Sequence, residues 1–114
     1  MKLPNAHVGR VDKEKVVGYL LCASHPDGRA KARFFARFGF SVSEWWVFAD
    51  ALKEHGLVNE VVKVLESDWG KRYIVDGELS APDGRKPRVR TVWIVERGQV
   101  TARLVTAHPL EALI

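Results

Sequence analysis

Arg88-Val89-Arg90-Thr91-Val92-Trp93-Ile94-Val95-Glu96 is the stretch that decides the fold. Its nine residues are mostly β-branched or aromatic, and Val89, Thr91, Trp93 and Val95 alternate with Arg88, Arg90, Val92 and Ile94. That period of two belongs to a strand with two unlike faces. Pro87 suits a strand start. Working outward, Arg97-Gly98 is a turn signal, and a further strand is predicted over Val100–Ala107. Upstream, Pro82-Asp83-Gly84 and Ser67-Asp68-Trp69-Gly70 are turns, which bound strands over Lys71–Leu79 and Val61–Glu66. Short connections make consecutive strands antiparallel neighbours, so the second half reads as a four-stranded antiparallel meander.

Before Leu57 the period is helical. Asp12 is placed to cap a helix from about Lys13 to Leu21, with Val16, Val17, Leu20 and Leu21 on one face. Ser24-His25-Pro26-Asp27-Gly28 is a turn by composition. A second helix is predicted from Arg29 to Phe38, stopped by Gly39. Ser41 or Ser43 caps a third, predicted to end near His55 with Gly56 just after it. Helices first and strands afterwards define the α+β class, with three N-terminal helices packed on one face of the sheet. Chain length fits one domain over residues 1–114, the helical part about 12–56 and the sheet part about 58–108.

The alternation makes one sheet face apolar, through Tyr73, Val75, Leu79 and the Val89–Val95 set. The other face carries Arg72, Asp76, Glu78, Arg88 and Arg90. On the fourth strand, Thr101, Arg103 and Val105 oppose Ala102, Leu104 and Thr106. The charged face is either solvated or a shallow cleft that binds an anion. The edges at Val61–Glu66 and Val100–Ala107 are open to pairing with another chain, so a homodimer is one expectation.

Composition narrows the function classes. Lys and Arg number 18 against 14 Asp and Glu, a net charge of +4 that favours an anionic partner such as RNA. The single cysteine, Cys22, leaves no intrachain disulfide and no cysteine-based metal site. His7, His55 and His108 lack metal-ligand spacing, so neither a metal nor a cofactor is expected. With no membrane-spanning run and no signal-peptide core, a cytoplasmic protein is expected.

Several residues stand out as candidates for chemistry. On the second helix Arg29, Arg33 and Arg37 form a stripe opposite Phe34, Phe35 and Phe38, and Lys31 falls within the aromatic side. A lysine there either snorkels from the core edge or reaches into a site as an anion clamp or general acid. The arginine stripe is a solvated face or a phosphate contact, which makes Arg29 and Arg33 substrate-binding candidates. His25 and His108 are candidate proton carriers. Arg85, Lys86, Arg88 and Arg90, with Arg72 and Arg103, form a basic patch across the sheet. Arg88 is its catalytic candidate, and Arg85 and Arg90 are its substrate-binding ones. Trp46 falls on the polar side of the third helix, either as a partner-binding anchor or beneath the chain termini.

The runs Lys15-x-x-x-Tyr19-Leu20-Leu21, His25-Pro26-x-Gly28-x-x-Lys31-Ala32-x-x-Phe35, Pro82-Asp83-Gly84-Arg85, Arg90-Thr91-Val92-Trp93-Ile94 and Leu104-Val105-Thr106-Ala107 resemble the signature of an uncharacterised prokaryotic small-domain family. Its members occur alone or as C-terminal modules of phage-head or polymorphic-toxin-like proteins. The resemblance covers nearly the whole chain, and Gly28, Lys31 and Arg85 match the family's glycine, lysine and arginine. His108-Pro109 departs from its pattern, where an aromatic residue follows Thr106-Ala107. The context is similar, by distant analogy, to the barnase, colicin and RelE-like ribonuclease toxins. It implies a toxin-type, metal-independent ribonuclease. The alternative is a non-catalytic module that binds protein or nucleic acid, including an antitoxin or immunity-like partner. Its expected partners are RNA or a cognate small protein.

Overall fold

The computed structural model describes residues 1–110 of the chain; residues 111–114, the end of the expected domain, lie outside the described residues. After a 3₁₀ turn over Ala6–Val8 come three helices. Helix α1 (Lys13–Lys15) runs on as a π-helical turn over Val16–Leu20. Helix α2 spans Arg29–Arg37, and α3 spans Trp45–Val58 behind a 3₁₀ turn at Val42–Glu44. Four strands follow: β1 (Val61–Ser67), β2 (Gly70–Glu78), β3 (Arg88–Glu96) and β4 (Arg103–Pro109). They form one antiparallel sheet in the order β1-β2-β3-β4. The fold is therefore α+β, with the helices before the strands.

The core lies between the helices and the inner face of the sheet. Phe35, Phe40, Phe48 and Leu52 from the helical half pack with Tyr73, Val75, Val89, Trp93 and Leu104 from the sheet. Phe35, Phe40 and Phe48 form an aromatic cluster with centroids 4.5–6.4 Å apart.

Three expectations change. The helix predicted to stop at Gly56 continues to Val58. Gly56 serves closeness, not termination: a Cβ there would lie 2.7 Å from the Trp93 ring, so glycine lets α3 press onto β3. The fourth strand begins at Arg103, not Val100, and runs to Pro109. Its outer edge is partly closed, because Arg10 donates its N–H to Ala102 O and accepts from Leu104 N–H. Most consequentially, Val92 pairs with Thr106 but Trp93 pairs with Leu104, so Val105 is a bulge. The extra residue shifts the alternation. Thr106 and His108 join Arg90 and Val92 on the charged face, while Leu104 and Ala107 stay inside.

His55 is buried in the core among polar partners. Its Nε2 lies 2.8 Å from Val89 O and 3.2 Å from Gly77 O, and its Nδ1 3.0 Å from Thr91 Oγ1. The indole N–H of Trp93 donates to the same Thr91 oxygen at 2.8 Å. Nε2 faces carbonyls, so it carries the proton of the neutral ring, and Nδ1 accepts from the Thr91 hydroxyl. Burial holds the His55 pKa below its ordinary 6.5, against the opposing pull of the two carbonyls and the Asp76 charge. The unfolded chain therefore takes up this proton more readily than the folded one. Stability from His55 is complete above the ordinary value and is lost as pH falls below 6.5. Thermal melts are expected to show a midpoint that drops between about pH 7 and pH 5, with a shallower drop in His55→Gln.

Candidate active site

The site is assembled where the end of α1 meets the start of α2. The π-helical turn, closed by Leu21 N–H to Val16 O at 2.8 Å, changes the phase of the helix at Tyr19. Gly28 backs directly onto this turn, and any Cβ there would collide with the Tyr19 carbonyl oxygen. His25 braces the junction. Its Nδ1 accepts the N–H groups of Asp27 at 3.0 Å and Gly28 at 3.2 Å, which leaves the proton of the neutral ring on Nε2. Its ring stands edge-on to Tyr19, 5.0 Å between centroids.

Lys31, one turn into α2, is half-buried and reaches across to the sheet. Its ammonium donates to Tyr19 Oη at 2.5 Å and to Thr106 Oγ1 at 2.8 Å. It also lies 4.8 Å from the Tyr19 ring centroid, with the Lys15 ammonium 5.5 Å from the same ring. Among the described residues no carboxylate pairs with Lys31, so its charge remains available to a ligand. Burial alone would raise the Tyr19 pKa. The hydrogen bonds of Lys31 and Thr106 and the charges of Lys31 and Lys15 outweigh it, leaving the phenol below its ordinary 10.0.

The sheet supplies the rest. His108 is the cross-strand neighbour of Arg90, and Arg90 of Asp76. Arg90 holds Asp76 through two bonds, Nε to Oδ1 at 2.7 Å and Nη2 to Oδ2 at 2.8 Å. That pairing keeps the Asp76 carboxyl below its usual range. Burial lowers the His108 pKa, and the positive charges of Lys31 and Arg90 lower it further against the opposing pull of Asp76. His108 is thus a neutral, partly sheltered imidazole facing two cations. Arg88 is exposed on the same face, two residues from Arg90.

Of the sequence candidates, Lys31, His25, His108 and Arg90 converge here, with Arg88 at the margin. Arg29 and Arg33 sit on the exposed side of α2, away from the face that carries Lys31. Arg85 binds Asp83 at 2.6 Å and the Arg37 carbonyl at 2.7 Å, with its guanidinium 4.4 Å from the Phe38 ring centroid. It ties the β2–β3 connection to the end of α2. Trp46 is half exposed on α3, edge-on to Trp45. Three residues of the cluster were not singled out as site residues in the sequence. Tyr19 stands only in a family motif, Thr106 alternates in step with Ala102 and Leu104, and Asp76 is one of several charges on the outer face.

The cluster lies on an open sheet face. The described depressions lie elsewhere, one around Arg10, Glu96 and Arg103, another around Glu54, His55 and Lys86. Among the described residues no group of three His, Cys, Asp or Glu side chains is placed to hold a metal ion, and no helix is long and apolar enough to cross a membrane.

Comparison with solved structures finds the same fold in a chain of a "Contact-dependent growth inhibition toxin - immunity protein complex from Klebsiella pneumoniae 342". The TM-score is 0.71 at 17% identity, covering 94% of this chain and 97% of that one. Comparison with curated proteins gives no match. A family model described as "Domain of unknown function (DUF6883)" matches residues 2–111. That match spans nearly the whole sequence, and the chain belongs to this family.

Proposed function

We propose that this chain is a toxin-type, metal-independent ribonuclease whose site is the Lys31 cluster. The observation that carries the reading is the Lys31 ammonium, fixed between Tyr19 and Thr106, without a carboxylate partner among the described residues, and facing the neutral imidazole of His108. The fold it shares with a chain of a growth-inhibition toxin–immunity complex supports a place in such a pair, as toxin or as immunity protein. In this reading the 2′-hydroxyl of one nucleotide attacks the adjacent phosphorus. His108 takes the hydroxyl proton, the O2′–P bond forms and the P–O5′ bond breaks. The leaving 5′-oxygen takes the proton that His108 now carries, giving a 2′,3′-cyclic phosphate and a 5′-hydroxyl and returning His108 to the neutral ring, while His25, its Nδ1 held by the N–H groups of Asp27 and Gly28, braces the site. Lys31 and the unpaired N–H groups of Arg90 stabilise the phosphorane, with Arg88 beside them. Tyr19 and Thr106 hold Lys31 in place.

A base of lowered pKa sets the pH dependence. Activity requires neutral His108, so it is expected to hold down to below the ordinary value of 6.5 and to fall only at more acid pH. Arg90→Gln removes one of the lowering charges and is expected to move this acid limb upward. A pH profile of kcat/KM on an RNA substrate checks both; a limb that stays put in Arg90→Gln removes His108 from the role of base.

A second reading is a binding module for a cognate small protein, and the exposed surface of α3 and β1 favours it. Trp46, Leu57, Val58, Val62, Val64 and Leu65 are all substantially exposed, and beyond Val61, whose N–H donates to Met1 O, β1 has no strand on its outer edge among the described residues. RNA left intact by pure wild-type protein, together with a stable complex with a co-encoded protein, would establish this reading in place of the first.

A further inference from the structure

On the outer face of the sheet, Arg72 stands outside the cluster and has no carboxylate beside it among the described residues. Arg72 on β2 lies opposite Leu65 of β1 and Ile94 of β3, and Ile94 in turn opposite Arg103 of β4. On the same face Arg90 is held by Asp76, and Arg103 donates to Glu96 at 3.0 Å. Among the described residues Arg72 has no such partner. Its Nε is shielded from water and makes no hydrogen bond among the described residues. A shielded N–H left without a partner is costly and calls for an explanation, and the terminal nitrogens of the same guanidinium stay open to a ligand. Ile74 and Val92 pair between Arg72 and the Arg90–His108 row, half-buried, and form an aliphatic floor there. Lys63, exposed, lies opposite Ile74 on the neighbouring strand.

We propose that Arg72 is a phosphate-binding subsite for single-stranded RNA lying across the outer sheet face, with Ile74 and Val92 under the stretch of strand between Arg72 and the Lys31 cluster. The inference rests on the ribonuclease reading and deepens it, by making the substrate a flexible single strand. From Arg90 to the row of Arg72 and Ile94 is four residues of β3, about 13 Å at 3.3 Å per residue. That span exceeds one internucleotide step, so Arg72 meets a phosphate further along the strand, not the scissile one. A duplex presents its bases to each other and gains nothing from an aliphatic floor, whereas an open strand can lay them on it.

The test uses Arg72→Met, which keeps the apolar stem and removes the charge, beside Lys53→Met, an equal loss of charge on exposed α3. The probe is a fully 2′-O-methylated oligonucleotide of about ten nucleotides, which binds without being cut. Arg72→Met is expected to bind about tenfold more weakly, with the slope of log affinity against log salt reduced by about 0.7, while Lys53→Met stays near wild type. Equal affinity and slope in Arg72→Met and wild type, or no binding by wild type, overturns the subsite. Cleavage of a dinucleoside monophosphate separates this result from the ribonuclease reading. The subsite predicts that Arg72→Met cuts the dinucleotide as wild type does but loses kcat/KM on an unmodified oligonucleotide, chiefly through KM. Equal losses on both substrates overturn it. Oligonucleotide binding that depends on Arg72, with no cleavage of either substrate by wild type, leaves the subsite standing and removes the ribonuclease.

Discussion

Lys31→Ala is expected to lower RNA cleavage by about 10²–10³-fold, the loss that follows removal of one preorganised group from a developing charge. In cells, tightly induced wild type is expected to arrest growth and Lys31→Ala to restore it at equal soluble protein. The magnitude follows from the position of the ammonium. Tyr19 and Thr106 fix it before substrate arrives, so little reorganisation remains to be done during reaction. Alanine also deletes a half-buried stem, so a thermal melt must accompany the growth test. Lys31→Met restores the packing without the charge, and it is expected to be as inactive as alanine and close to wild type in stability. Activity retained by Lys31→Met would sink the electrostatic role. Absence of arrest by wild type, with RNA from induced cells intact, would favour the binding module.

Trp93→Ala is expected to destabilise the protein by about 3–5 kcal/mol, a large share of the 5–15 kcal/mol that holds a typical domain together. The side chain is fully buried, its ring lies against Gly56 of α3, and its indole N–H satisfies Thr91 Oγ1. Its loss opens a cavity under α3 and removes a donor from the His55–Thr91 network at once. Gly56→Ala tests the same contact from the other side. Alanine is the better helix former by about 1 kcal/mol, but here its Cβ would press into the Trp93 ring, so a net loss of about 1–3 kcal/mol is expected. Denaturant melts measure both. A stabilised Gly56→Ala would mean that the α3–β3 contact is looser than described.

The alternation of Arg88–Glu96, the turn residues around it and the helical spacing before Leu57 determined by themselves that this is an α+β chain with a four-stranded antiparallel meander. Those signals are local: each strand or helix shows its period in its own residues, and short turns leave consecutive strands little choice of neighbour. The odd position of Lys31 on an apolar face was legible for the same reason. Local pattern could not show what Lys31 meets. Thr106 joins the charged face because one bulge residue, Val105, changes the parity of β4, and a bulge has no compositional mark in Leu104-Val105-Thr106-Ala107. Tyr19 reaches Lys31 because a π-helical turn changes its phase and Gly28 admits its backbone, both consequences of packing between segments. Gly56 carried the mark of a helix stop, yet the nearness of Trp93, 37 positions further along the chain, gives it another purpose. Arg85 and Arg90 look alike in the sequence, and the structure ties one to a loop and sets the other beside Asp76 and His108. Which charges stay free is a matter of which carboxylates the fold brings beside them, and only the tertiary structure decided that for Lys31, Arg90 and Arg72.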